Sequence, residues 1–181
     1  MGALELLWFA LIIVFAFVGI VRGYPKELGV TTSILVALLV LTEWGGKILL
    51  GLDAQLGGLL GGSFLAGPYS NLIQAAFYLG LFIAMVFISY HGETLAFRGD
   101  PPPGPLGVAM NAINGAVNGY LISGTIWYYL DRFDYPIRFL GLFSPPLTNL
   151  AQALLPFLPL PILEPYLLLF VVFLILVRVF R

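Results

Sequence analysis

The chain has 181 residues, of which 60% are hydrophobic and 9% are charged, and its mean hydropathy is +1.01. Soluble domains carry about 25% charged residues, so this composition excludes an ordinary soluble domain and indicates an integral membrane protein. The formal net charge of -1 leaves no basic field that would bind nucleic acid. Without cysteine and with a single histidine, neither disulfides nor thiolate or histidine-rich metal sites are expected.

The first two predicted membrane spans are separated by a short polar turn. The first span covers about residues 4–21, and because Glu5 is its only early charged side chain we interpret it as a retained span rather than a cleavable signal. The second span covers about residues 28–50. Its far end includes Glu43 and Lys47, which stand at i and i+4 in the order that favours a helical pair.

A glycine-rich stretch and two further spans follow. Residues 51–68 hold six glycines, and such backbone is costly to expose to lipid. It could lie at the interface, form a re-entrant loop or pack on a neighbouring helix, and we expect the interface. The third span covers about residues 72–90. The fourth covers about 106–130 and ends in three aromatic residues, 127–129, which are typical of a membrane boundary.

Prolines dominate the segment before the last span. They stand at positions 136, 145, 146, 156, 159 and 161, so a continuous helix is excluded. We predict that residues 131–161 form an interfacial segment and that the fifth span covers about 162–180. The fold predicted for residues 1–181 is therefore all-α: a single polytopic transmembrane helical bundle of about five spans.

The cations in the loops determine the expected orientation. If the first loop is cytoplasmic, that side holds five basic residues and the other side holds three. The five are Arg22, Lys26, Arg98, Arg178 and Arg181, and the three are Lys47, Arg132 and Arg138. The bias favours an N-terminus outside and a C-terminus in the cytoplasm.

The fourth span carries two overlapping patterns. Small or polar residues recur at every fourth position: Asn111, Gly115, Gly119 and Ser123. Such spacing, which includes a GxxxG element, lets another backbone approach closely and predicts helix packing. Three amides follow an i, i+3, i+7 pattern: Asn111, Asn114 and Asn118. They should form hydrogen bonds between helices, or alternatively line a pathway for a small substrate, although no charged residue accompanies them.

Catalysis is not predicted. The glycines at 57–62 lack the Lys-Ser/Thr that completes a Walker A loop, and no nucleophile-elbow motif is present. We interpret His91, beside Glu93, as a residue at a helix end rather than half of a proton-shuttling pair. No catalytic residue, cofactor or metal ligand is assigned, and the protein is expected not to be an enzyme.

The turn between the first two spans resembles a known family. Arg22, Gly23 and Tyr24, followed by Lys26 and Glu27, are similar to the first-loop motif of the colicin V production (CvpA) family, in which Arg-Gly and an aromatic residue precede a basic-Glu pair. That family also has a later span with a glycine at every fourth residue. Gly115 and Gly119 resemble two of those glycines, with Asn111 at the place of a third and Asn118 where an arginine is common.

Pro25, the long proline-rich segment and the fifth span depart from the usual shorter form, so the likeness covers about residues 4–130. The resemblance implies a non-catalytic bacterial inner-membrane protein of export or cell-envelope homeostasis. One alternative is a small structural subunit of a respiratory or photosynthetic membrane complex. A second is a channel or carrier that uses the asparagines. The expected partners are the lipid bilayer and, for the first alternative, other membrane subunits.

Overall fold

The computed structural model describes residues 4–92, 97, 99, 101–136 and 148–180. Over these residues the chain is helical and contains no strand, which confirms the all-α helical bundle. The α-helices are α1 (Leu4–Arg22), α2 (Tyr24–Leu60), α3 (Ser70–His91), α4 (Pro105–Arg132), α5 (Asn149–Leu154), α6 (Pro159–Leu163) and α7 (Leu167–Val179). Short 3-10 turns, Leu155–Phe157 and Glu164–Tyr166, flank α6.

Helix α2 is longer than the second predicted span at both ends. It begins at Tyr24 because Gly23, at φ 86°, breaks α1, and because Pro25 suits a first helical turn. It continues through most of the glycine-rich stretch and ends only at Gly61, which has φ 82°. Residues 51–60 are therefore helical, and residues 61–69 form the turn to α3. The carboxylate of Asp53 stabilises this turn by accepting hydrogen bonds from later residues, Ser63 Oγ at 2.7 Å and the Phe64 amide at 2.9 Å.

The lengths and hydropathies of the helices indicate a membrane protein. In the part of the chain that the structure describes, four helical stretches are long and apolar enough to cross a bilayer: Leu4–Arg22, Tyr24–Leu59, Ser70–His91 and Asn149–Val179. Helix α4 is not among them, although it has 28 residues. Its asparagines and glycines lower its hydropathy. Twelve of its residues are buried, against four in α1 and three in α3, so α4 is largely enclosed by protein.

The helices pack side by side around α4. Helix α1 runs antiparallel to α4, since Gly19 lies against Gly115 at one end and Trp8 against Trp127 at the other. Helix α2 packs on both α3 and α4, and α7 packs on α2. The core between them contains fully buried large side chains, which include Ile34, Leu38, Leu41, Phe82, Tyr129, Leu160 and Leu167.

The fifth predicted span, residues 162–180, falls mostly within the helical stretch Asn149–Val179. Within it the hydrogen bonding changes to a 3-10 turn at Glu164–Tyr166, between α6 and α7, because Pro165 has no N–H to donate. The short helix α5 lies within the predicted interfacial segment and is capped by Thr148, whose hydroxyl accepts from the Ala151 amide. The rest of that segment, residues 137–147, lies outside the described residues, as do Glu93 and three of the counted cations, Arg98, Arg138 and Arg181.

Candidate functional site

The turn between α1 and α2 directs a carboxylate into the bundle. Glu27, in the first turn of α2, is fully buried, whereas the side chain of Arg22 at the end of α1 is 27% exposed. Arg22 Nε donates to Glu27 Oε1 at 2.7 Å. A buried carboxylate requires a counter-charge and hydrogen-bond donors, because burial removes the water that would otherwise solvate it. Arg22 supplies the charge and one of those donors.

Asn118 of α4 supplies the next donors. Its Nδ2 group donates to Glu27 Oε2 at 2.8 Å and to the Glu27 carbonyl oxygen at 2.9 Å. Its Oδ1 accepts from the hydroxyl of Thr31, one turn further along α2, at 2.7 Å. Asn118 is 0% exposed, and both halves of its amide are used. The residue that the sequence placed on a packing face of α4 therefore joins that helix to α2.

Tyr90 joins α3 to the same group. Its hydroxyl donates to Glu27 Oε2 at 3.2 Å, and its carbonyl oxygen accepts from an Arg22 Nη at 3.1 Å. The guanidinium carbon of Arg22 lies 4.8 Å from the centre of the Tyr90 ring, within cation–π range. We call these residues the polar node: Arg22, Glu27, Thr31, Tyr90 and Asn118. It connects α1, α2, α3 and α4 at one end of the bundle.

The other two asparagines hold the backbone of the turn. Asn111 Oδ1 accepts from the Tyr24 amide at 2.7 Å, and Asn114 Nδ2 donates to the Tyr24 carbonyl oxygen at 3.3 Å. Phe97, 5% exposed, covers the turn from the α3–α4 connection, and its amide donates to the carbonyl oxygen of Pro25. The asparagine pattern and the first-loop motif, two separate predictions, therefore form one site.

The glycines of α4 allow the close contact with α1. A Cβ on Gly115 would collide with the carbonyl oxygen of Phe15 and would lie 2.8 Å from Gly19 Cα. A Cβ on Gly119 would lie 2.9 Å from Ile12 Cα. Ser123 continues this row, and its hydroxyl donates to the Gly119 carbonyl oxygen at 2.6 Å. Only glycine fits at such a backbone approach.

Two residues of the sequence analysis lie outside the node. Lys26 is on the exposed side of the first turn of α2. His91 is exposed at the end of α3, where Nδ1 lies 3.2 Å from the Phe87 carbonyl oxygen. Tyr90 and Thr31 belong to the node but were not singled out. A tyrosine at a span end and a threonine in an apolar helix are common, and no pattern in the sequence marks them.

A second polar group lies at the opposite end of the bundle. Tyr135, just beyond α4, accepts from Trp127 Nε1 at 3.1 Å and donates to Asp131 Oδ1 at 3.0 Å. Burial raises the pKa of the Tyr135 hydroxyl above its usual value, and the Asp131 carboxylate adds to this rise while the Trp127 bond opposes it. Buried Glu5 of α1 accepts from the Thr148 hydroxyl at 2.7 Å. The Tyr135 bonds hold the segment after α4 against the end of that helix, and the Glu5 bond joins α1 to the residue that caps α5.

Chemically, the polar node is a set of mutually satisfied groups. Each Glu27 oxygen accepts at least one bond from a side chain, and its charge is matched by Arg22. Among the described residues no group of three or more His, Cys, Asp or Glu side chains could hold a metal ion. The arrangement suits the joining of helices.

Comparisons with family models, curated proteins and solved structures find no match to this chain. The resemblance described above therefore depends on its short motifs alone.

Proposed function

We propose that this chain is a non-catalytic protein of a bacterial inner membrane that acts in export or in maintenance of the cell envelope, as its resemblance to the CvpA family implies. One observation supports the proposal. The two short motifs that carry the resemblance are in direct contact, with Glu27 Oε2 of the first motif 2.8 Å from Asn118 Nδ2 of the second. They lie 91 positions apart in the chain.

The position of Asn118 strengthens this argument. The resemblance places an arginine there in many family members, and an arginine so close to Glu27 would pair with its carboxylate. Here the amide donates twice to Glu27 instead, while Arg22 provides the charge. A side chain of either type at position 118 could therefore join the fourth helix to Glu27. We therefore propose that the polar node keeps α1, α2, α3 and α4 in the packing arrangement that the function requires.

The proposed location includes an orientation. Helix α4, at 28 residues, would span about 42 Å, which exceeds the hydrocarbon thickness of about 30 Å. If it crosses beside α1, the chain crosses five times and its termini lie on opposite sides. The cation bias then places the N-terminus outside and the C-terminus in the cytoplasm. Fusion of green fluorescent protein or alkaline phosphatase to the C-terminus tests this, because only the former should be active.

The channel or carrier alternative requires free amides along a path. The three asparagines instead bond to Tyr24, Thr31 and Glu27. The subunit alternative predicts a large assembly on a native gel of untagged protein extracted in mild detergent. Our proposal predicts a monomer or a small homo-oligomer in the same experiment.

Deletion of the gene in its host tests the function itself. We expect the deletion to sensitise cells to detergents or to reduce export, and wild-type protein to restore both. Glu27→Gln should fail to restore them, whereas Glu43→Gln, which changes an exposed acid of the same helix, should succeed. Immunoblots of the membrane fraction separate lost function from lost protein. Unchanged envelope resistance and export in the deletion strain would overturn the proposal.

A further inference from the structure

The face of α1 that points away from α4 contains a shallow apolar groove. Four residues at helical spacing line this open groove of about 370 Å³: Val14, Phe17, Val18 and Val21. Arg22 completes its lining and is the only charged residue there. Helix α1 packs on α4 through other residues, including Ile12, Phe15 and Gly19. The groove is therefore on the open side of α1, where Val21 is 86% exposed.

Arg22 lies at the depth of lipid headgroups if α1 crosses the bilayer. The helix has 19 residues, or about 28 Å, which matches a hydrocarbon core of about 30 Å and brings its last residue to the boundary. Arg22 uses Nε to bind Glu27 and one Nη to bind the Tyr90 carbonyl oxygen. Its other terminal nitrogen makes no hydrogen bond to any residue that the structure describes. The guanidinium can therefore still donate outward from the node.

We propose that α1 binds one anionic phospholipid, with an acyl chain along the groove and the phosphate on Arg22. The groove offers only apolar side chains and one cation at its end, which is the complement of a lipid tail followed by an anionic headgroup. Guanidinium groups bind phosphate through several parallel N–H donors, so Arg22 can bridge Glu27 and a phosphate at the same time. The phosphate of the bound lipid then contacts the polar node from outside the bundle, through Arg22.

The site depends on the membrane location of α1 and not on a role in export, so separate measurements test the two. Purified protein is titrated with phosphatidylglycerol and phosphatidylcholine of identical chains, and bound lipid is counted by native mass spectrometry. An unpaired basic group near an anionic surface contributes about 1 kcal/mol, and Arg22 shares its charge with Glu27, so we expect a preference for phosphatidylglycerol of up to about fivefold. Equal retention of the two lipids would overturn the proposal.

Substitutions of Val21 test the site without breaking the ion pair. Val21→Glu puts a carboxylate where the phosphate would bind and should abolish the preference, while Val21→Gln, of the same size, should retain it. Val21→Lys should increase it. Arg22→Gln should also abolish it, but that change disturbs Glu27, so the Val21 series decides. Equal preferences in the Glu and Gln variants would contradict the site.

The groove is tested by competition. Glycerophosphoglycerol, which has the headgroup but no acyl chains, should displace bound phosphatidylglycerol at least tenfold less effectively than a short-chain phosphatidylglycerol does. If the two compete equally, the apolar residues contribute nothing and the proposal is wrong.

Discussion

Replacing Gly115 with alanine adds a single methyl group at the closest approach of α1 and α4. That methyl would collide with the Phe15 carbonyl oxygen and lie 2.8 Å from both Cα and N of Gly19. All three are backbone atoms of α1, so no side-chain rotation can relieve the contact. The two helices must separate, or α1 must shift along α4.

The expected cost follows from two opposing effects. Overpacking of a well-packed contact costs about 1 to 3 kcal/mol. Alanine favours the helix over glycine, and this raises the free energy of unfolding by up to about 1 kcal/mol. Gly80 in α3 is a matched control, since a Cβ there would meet nothing within 4 Å. Gly80→Ala should leave stability unchanged or raise it, so the difference between the two variants, about 1 to 3 kcal/mol, isolates the packing contact.

The measurement is the free energy of unfolding in mixed micelles, from titration with a denaturing detergent and helical circular dichroism as the signal. Size-exclusion chromatography confirms that each variant starts as the same species. Leucine at Gly115 and Gly119 together should prevent assembly of the bundle. If Gly115→Ala and Gly80→Ala unfold at the same midpoint, the backbone contact between α1 and α4 does not exist as described.

Three further predictions concern polar groups. Arg22→Gln leaves the buried Glu27 carboxylate without a counter-charge and should lower the free energy of unfolding by about 3 to 5 kcal/mol, whereas Glu27→Gln leaves only the part-exposed Arg22 and should lower it by about 1 to 3 kcal/mol. The loss in the double variant should be smaller than the sum of the two, and additive losses would mean that the pair does not interact. Asp53→Ala should lower the free energy of unfolding by about 1 kcal/mol and increase amide hydrogen exchange in residues 61–69 but not in α1. Unchanged exchange in residues 61–69 would exclude a role of Asp53 in the turn. Burial raises the pKa of Tyr135, so its contribution to stability is complete below about pH 10 and declines as the pH rises further. Tyr135→Phe should therefore lose stability less steeply than wild type above about pH 10, and parallel curves would contradict this sign.

The helical architecture and the general direction of the asparagines follow from local patterns. Apolar runs of bilayer length predict spans, and amides beside a glycine row must face protein because lipid offers no hydrogen-bond partner. Local patterns do not show which residues the asparagines contact. Asn118 meets Glu27 only because α1 and α2 turn back at Gly23 and lie against α4. Such a contact is a property of the tertiary fold.

The C-terminal end of α2 could not be predicted from the sequence, for a different reason. The sequence predicts that the second span ends near residue 50, before the glycine-rich stretch, yet the helix continues to Leu60, where Gly61 provides the left-handed conformation that ends it. Individual glycines inside a helix cost about 1 kcal/mol each, against about 3 kcal/mol for a proline, so a helix tolerates them more readily. Pro165 also fits inside the last helical stretch, where its missing N–H changes the local structure to a 3-10 turn.

The enclosure of α4 has a consequence for how the protein is made. Its amides and glycines give a nascent α4 little to gain from lipid when it leaves the translocon. Helices α1 and α2 are synthesised earlier and carry the groups that those amides bond, so they can receive α4 as it emerges. Integration of this chain is therefore expected to be cooperative, with α4 retained in the membrane only when its earlier partners are already in place.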